Sequence, residues 1–417
     1  MIRQLDNPVS RHEYVRVAEA AASASQSRLE RSGIPSRIVS RQRPQDRYTA
    51  SYTVRVRQLM PAFIQLHLQG GSSFQHEPDP HTGLFADGLH RRLGKAAVRT
   101  LYTLGAEEGE VQLTVLPGRG YVVDEVWQKE SSRKAVMSAG PVRTEGSSPA
   151  VVNMEGQQDA VLLMGMDPEF VLVRDGQIVL ASEFMDRVGT VGCDSVRDQD
   201  QLIYPLAELR PDPQPDPEAL LLEMRKALRE ASRIVTDRSL AWKAGGLPVP
   251  DYPLGGHIHF SGVPLTLHLL QALDNYLALP LLIVEDPRAR GRRPRYGFLG
   301  DFRRQPHGGF EYRTLPSFLV SPFVTKVALS IAYLVARYSD RLQARPLNTE
   351  RYHRAFYEGD VDLLKECMPG WHRDMSSLPE YPKYASEIER LMAFIRESRT
   401  WNESRDIRPL WNIPVKP

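Results

Sequence analysis

Residues two apart on an extended strand project to the same side of a sheet. That rule constrains this chain most, because four short segments each carry a polar pair at that spacing. Asp167 and Glu169 stand in MDPEF, Glu208 and Arg210 in AELRP, His257 and His259 in GGHIHFS, and Glu311 and Arg313 in GFEYRT. A sheet that faces an ordinary core offers apolar groups at such positions. Here four strands offer carboxylates, imidazoles and guanidiniums to one side, so the expected fold has a sheet face that is a site and not a core.

The segments around them read as alternating strand and helix. An apolar strand over 161–166 leads, through the tight-turn pair Asp175-Gly176, into a second strand at 178–181. A further strand is expected over 201–209. An amphipathic helix follows at 217–235, with Asp216 as N-cap before a proline at the first helical position. Strand 257–262, an apolar helix at 265–282, an arginine-dense loop at 287–304, strand 309–314 and a helix at 318–337 complete the unit. The tail reads as helical in pieces, around 351–357, 361–367 and 384–397.

The first part of the chain has another texture. A helix is expected over 11–32, then strands at 48–56, 98–104, 111–116 and 120–127, with a Gly/His/Pro/Asp-rich loop at 70–83. Residues 129–160 are polar and sprinkled with Gly, Pro and Ser, as linkers are. The expected organisation is an N-terminal α+β or β-rich domain over 1–128, that linker, a catalytic domain over 161–340, and a helical C-terminal extension over 341–417 packed on it.

Length and composition set limits. The 417 residues, 41% of them hydrophobic, suffice for two cores. A net charge of +2 gives no general attraction to nucleic acid or to a membrane. Residues 1–100 are nevertheless locally basic, with 15 Lys+Arg against 8 Asp+Glu. They read as a solvated surface or as a docking face for an acidic peptide or protein. Two cysteines, Cys193 and Cys367, make no disulfide framework. With no signal peptide or membrane-spanning run legible, the expectation is a cytoplasmic protein.

Several carboxylates with histidine and no thiolates suit hard divalent cations such as Mg²⁺ or Mn²⁺. Arginines on the same surface suit phosphate or carboxylate oxygens. The 287–304 loop holds seven arginines against one acid, Asp301. Each element also has a plain reading: a salt-bridged strand end for DPEF or ELRP, a hydrogen-bonded pair for His-x-His, a solvated loop for the arginines, a turn for Asp194. Only their conjunction points to a phosphoryl-transfer site.

The ordered run GMDPEF, GCDS, ELRP, GGHIHFSG, LDNYLALPLL, RRPRYGFLGDFR and GGFEYRTLPS resembles the COOH-NH2 ligase type 2 family of phages and Gram-positive bacteria, over residues 161–337. That family is grouped with glutamine synthetase and glutamate–cysteine ligase. The resemblance implies an α+β fold with a curved antiparallel sheet and helices on one face. It implies an ATP- and Mg²⁺-dependent ligase that joins a carboxylate to an amine through an acyl phosphate. Glu169, Asp167, Glu208, one of His257 and His259, Glu311 and, more weakly, Asp194 would be metal ligands. Arg313, Arg303, Arg293 and Arg210 would contact ATP phosphates or the acyl phosphate, with Arg313, Arg303 and Glu311 closest to the chemistry. Asp-Pro-Glu departs from a Glu-x-Glu pair, so Asp167 is also readable as structural. The acid and amine substrates stay open, a peptide or protein among them, as does a homo-oligomer. The alternatives are a guanidino-kinase-like phosphotransferase, a metal-dependent hydrolase and an inactive scaffold of the same fold.

Overall fold

The structure is a computed structural model that describes residues 2–5, 14–17, 19–39, 50–68, 73–79, 85–118, 120–129, 161–198 and 201–415. The chain divides into two units, Met1–Gly156 with Asn348–Arg354, and Gln157–Leu347 with Ala355–Pro417.

The first unit is built on a seven-stranded antiparallel sheet. Its strands are β1 (Ile2–Leu5), β2 (Tyr14–Arg16), β3 (Ala50–Arg57), β4 (Met60–His67), β5 (Ser73–His76), β6 (Gly109–Val115) and β7 (Tyr121–Lys129), in the order β1-β5-β4-β3-β6-β7-β2. Register places Ile64, Val54 and Val111 side by side on one face. Helix α2 (Gly88–Thr103) packs on this sheet, after α1 (Glu19–Arg31). The other face carries buried ion pairs, Arg55 with Glu110 and Arg37 with Asp124 at 2.5 Å.

Several expectations are corrected in this unit. Residues 98–104 do not form a strand: apart from Leu104 they are the last turns of α2, whose Asp87 side chain caps Leu89 and His90 N–H. Their strand-like composition, VRTLYTL, reflects helix residues buried on most sides, Val98, Thr100 and Leu101 among them, which a short segment does not separate from a buried strand. The helix expected from residue 11 is α1, beginning at Glu19, and Tyr14–Arg16 is a strand. The 70–83 loop contains strand β5; its remaining positions, except 77–79, and the linker at 130–160 lie outside the described residues.

The second unit is organised by one long strand, β8 (Leu163–Arg174), buried at every position from 164 to 173. Asp175 and Gly176, both with positive φ, turn it into β9 (Gln177–Val179), as the Asp-Gly pair requires. Strands β10 (Val191–Asp198), β11 (Gln201–Leu209), β12 (Ala241–Lys243), β13 (Gly256–Ser261), β14 (Phe302–Arg304) and β15 (Phe310–Tyr312) complete a curled antiparallel sheet, with the main path β10-β11-β8-β13-β15-β14.

The two faces of β8 differ. Met164, Met166, Phe170 and Leu172 face the core, where Phe170 stacks on Trp242 at 4.8 Å and Phe260 on Phe310 at 5.3 Å. Gly165, Asp167 and Glu169 face the opposite way, and the apolar pattern resumes on that face only at Val171 and Val173, which pack with Leu206 and Leu254.

The helices follow the sequence with one exception. Helix α3 (Pro217–Ile234) carries the expected Asp216 cap. The apolar helix expected at 265–282 is broken into α4 (Leu267–Leu273), a π turn (Asp274–Ala278) and α5 (Leu279–Ile283). The wide turn brings buried Asp274 to the Tyr312 hydroxyl (2.7 Å) and Gly300 N–H (3.1 Å), tying the 299–301 loop to β15. Helix α6 (Pro322–Tyr338) is buried along most of its length. The chain end returns to this unit: Trp411 Nε1 donates to Leu319 O at 2.8 Å, and Glu403 accepts from Gly246 and Leu247 N–H. No helix among the described residues is long and apolar enough to cross a membrane.

Phe170→Ala is expected to lower the unfolding free energy by about 3–5 kcal/mol in urea titration, because it removes a ring from a site too well packed to collapse. Phe170→Leu, which keeps most of the volume, should cost well under half of that.

Candidate metal and phosphate site

Register turns the four sequence pairs into one band across the sheet. Glu208 lies opposite Glu169, Asp167 opposite His257, and His259 opposite Glu311, which in turn faces Arg303. Two groups of donor atoms result, each with its atoms within 4.8 Å of one another: Asp167, His257 and Glu311, and Glu169, Glu208 and His257. Oxygen ligands at about 2.1 Å from Mg²⁺ lie at most about 4.2 Å apart, so a small closure of either group fits such an ion.

A second observation supports the fit. His257 Nδ1 is 3.0 Å from Asp167 Oδ1 and 3.2 Å from Glu311 Oε1, yet Nδ1 and that Asp167 oxygen are buried without a hydrogen bond. His257 belongs to both groups. His259 is in neither, and its Nε2 lies 3.0 Å from the other Asp167 oxygen, where it orients that carboxylate.

Glycines shape the band. Gly255 N–H donates to Glu169 Oε2 at 2.6 Å, and a Cβ on Gly255 would lie 2.3 Å from His257 Nε2. Gly192 leaves room for the Arg210 guanidinium, which a Cβ would meet at 2.2 Å.

Burial sets the electrostatics. Asp167, Glu169, Glu208 and Glu311 are 7%, 5%, 6% and 0% exposed. Two like charges at 4 Å repel by about 4 kcal/mol at an effective dielectric of 20. Burial, reinforced by the Asp167 charge, pushes the Glu208 carboxyl up to about 8 despite its pairing with Arg210. Burial likewise pushes Glu169 up to about 6. For Asp167 burial acts in the same direction, but the His257 and His259 imidazoles outweigh it and hold the carboxyl well below its usual range. The reverse holds for His257: burial lowers it, and the Asp167 charge more than compensates, so its affinity for a proton is raised.

The arginines divide into two sets. Arg313 pairs with Glu311, and Arg303 Nε donates to Glu311 Oε2 at 2.6 Å, so both stand on the band. Gln305, which the sequence did not single out, joins them at 3.0 Å. Arg293 does not: its side chain is 3% exposed and paired with buried Glu285, so its guanidinium is committed to the core and cannot hold phosphate there. Arg288, Arg290 and Arg292 likewise tie the loop to Asp286, Gly359 O and the Thr314 and Leu315 carbonyls. Most of the arginine density is scaffolding. Asp194 is exposed, accepts from Ser195 N–H, and falls in neither donor group.

A family model described as phage phiEco32-like COOH.NH2 ligase-type 2 matches residues 164–413, well over half of the chain. The chain belongs to that family. The match extends beyond 337 and takes in the C-terminal helices. No curated protein matches. Among solved structures, a bifunctional glutathione synthetase from Pasteurella multocida is similar at 11% identity with a TM-score of 0.37. The similarity covers 60% of this chain and about half (49%) of that one. The family is described as one of carboxylate–amine ligases, and the acidic band lies within the matched region.

The raised carboxyls fix a pH dependence. Glu208 and Glu169 hold protons more tightly folded than unfolded, so their contribution to stability is greatest near pH 4.5 and is lost as pH rises towards 8 and 6, respectively. Raised His257 acts in the same direction. The urea midpoint of the metal-free protein should therefore fall between pH 5 and 8. Glu208→Gln or added Mg²⁺ should flatten that fall.

Proposed function

We propose that this ligase uses ATP and Mg²⁺ to join a carboxylate to an amine through an acyl phosphate, on the carboxylate band of the sheet. The observation that carries the reading is the convergence of four buried carboxylates on His257, bordered on one side by Arg303 and Arg313. Buried acids so crowded are costly unless protons or cations neutralise them.

Bound Mg²⁺ would supply charge neutralisation and alignment of the phosphate oxygens. Asp167, His257 and Glu311 would hold it on the arginine side, and Glu169, Glu208 and His257 on the other. His259 keeps Asp167 oriented, and the Gly255 N–H does the same for Glu169. Arg313 and Arg303 would turn from Glu311 to the transferring phosphoryl group, neutralising charge where it develops. The substrate carboxylate oxygen attacks the γ-phosphorus and ADP leaves with the bond electrons. The amine nitrogen then attacks the acyl carbon, phosphate leaves, and the nitrogen gives up a proton. The locally basic N-terminal unit would bind an acidic peptide or protein substrate.

Calorimetry with ATP tests the reading. Binding should require Mg²⁺ and weaken at least about tenfold in Glu169→Ala and Arg313→Ala. Arg293→Ala should instead leave nucleotide affinity intact while costing about 3–5 kcal/mol of stability, since it strands Glu285 in the core. Absence of Mg²⁺-dependent binding by the wild-type chain would refute the ATP reading.

A further inference from the structure

Helix α2 of the first unit carries a charge pattern that its own folding does not require. Leu93, Ala97 and Leu101 are buried on the side that packs against the sheet. Every exposed side chain of the helix is basic: Arg91, Arg92 and Lys95. Half-buried Arg99 continues the line one turn further, and no Asp or Glu occurs in GLHRRLGKAAVRTLYT. At about 1.5 Å of rise per residue, Arg91, Lys95 and Arg99 form a stripe about 12 Å long, with Arg92 at its flank.

The stripe works against the helix that bears it. Arg91 and Lys95, then Lys95 and Arg99, are like charges at i,i+4, a spacing at which repulsion lowers helix stability. The Arg91 guanidinium donates to Phe85 O at 2.9 Å and to Ala86 O, which holds it at the positive end of the helix dipole. The acid at that end, Asp87, is the N-cap, and its Oδ1 accepts from the Leu89 and His90 N–H groups. Lys95 has no acidic partner among the described residues. Arg99 is fixed by a hydrogen bond to Ser32 O. Helix α3 shows how a merely solvated face is built: its acids and bases are mixed, and Lys226 pairs with Glu223 at 2.6 Å.

We infer that the α2 stripe docks an acidic peptide segment of the macromolecular substrate, held in extended form through alternate carboxylates. An extended chain presents same-side residues about 6.8 Å apart. That is close to the step of about 6 Å between Arg91, Lys95 and Arg99, so Asp or Glu at every second position meets successive cations. Charge-assisted hydrogen bonds to carboxylates would satisfy a row of donors that repel one another in the free protein. The helix offers no exposed aromatic side chain on which bases could stack, so a single-stranded nucleic acid fits it less well. The peptide's role as substrate rests on the ligase reading; its docking does not.

Fluorescence anisotropy on the full chain tests this with three labelled probes: a peptide of alternating Glu and Ser, its counterpart with Gln for Glu, and an oligothymidylate of equal length. The Glu peptide should bind wild type, more weakly as salt is added, and the Gln peptide should not bind. Lys95→Glu should weaken the Glu peptide about tenfold or more. The same change should raise the melting temperature, because it turns two repulsions into i,i+4 pairs with Arg91 and Arg99. Lys95→Arg should stay near wild type. No binding of the Glu peptide by wild type, equal binding of the Gln peptide, tighter binding of oligothymidylate, or unaltered affinity in Lys95→Glu would overturn the inference. Mg²⁺–ATP calorimetry on wild type keeps the two readings apart. Peptide binding without Mg²⁺–ATP binding would sink the ATP-dependent ligase and leave the docking surface standing, and the reverse result would do the opposite.

Discussion

Everything in the second unit is arranged around His257, on which four buried carboxylates converge. Asp167 and Glu311 approach its Nδ1 to 3.0 and 3.2 Å, and Glu169 and Glu208 complete the second group around the same ring. Unneutralised charge at that density is unfavourable in a protein interior. The structure meets that cost with arginines on Glu311 and Glu208, a backbone N–H on Glu169, and carboxyls whose affinity for protons is raised. The site is thus a stored electrostatic imbalance, of the kind that cations relieve.

Such an imbalance needs a rigid support, and the apolar side of the same sheet supplies it. β8 alternates Met166, Phe170 and Leu172 towards the helices with Asp167 and Glu169 towards the site. A one-residue slip would send the carboxylates into the core, so packing on one face fixes register on the other. The interior arginines serve the same end. Arg292 crosslinks the loop to Thr314 and Leu315, and Arg293 locks onto Glu285, so the loop that bears Arg303 is held from behind.

The band is not symmetrical. Its Glu311 end gathers Arg303, Arg313 and Gln305, a surface suited to phosphate oxygens. Its Glu208 end has a single paired arginine, Arg210.

The sequence by itself determined the polar pairs and their common face, because strand periodicity is a local property of the backbone: MDPEF, AELRP, GGHIHFS and GFEYRT could be read without any knowledge of packing. Local chemistry likewise made the Asp175-Gly176 turn and the Asp216 cap legible. Only the tertiary structure decided which strands pair and in what register. It decided that His257 and not His259 joins both groups, and that Arg293 belongs to the core while Arg303 belongs to the site. Residues 292, 293 and 303 are chemically identical, and the β-branched and aromatic residues at 98–104 suit strand or helix equally. What separates them is the burial and the partners brought by segments distant in the chain, which no local pattern encodes.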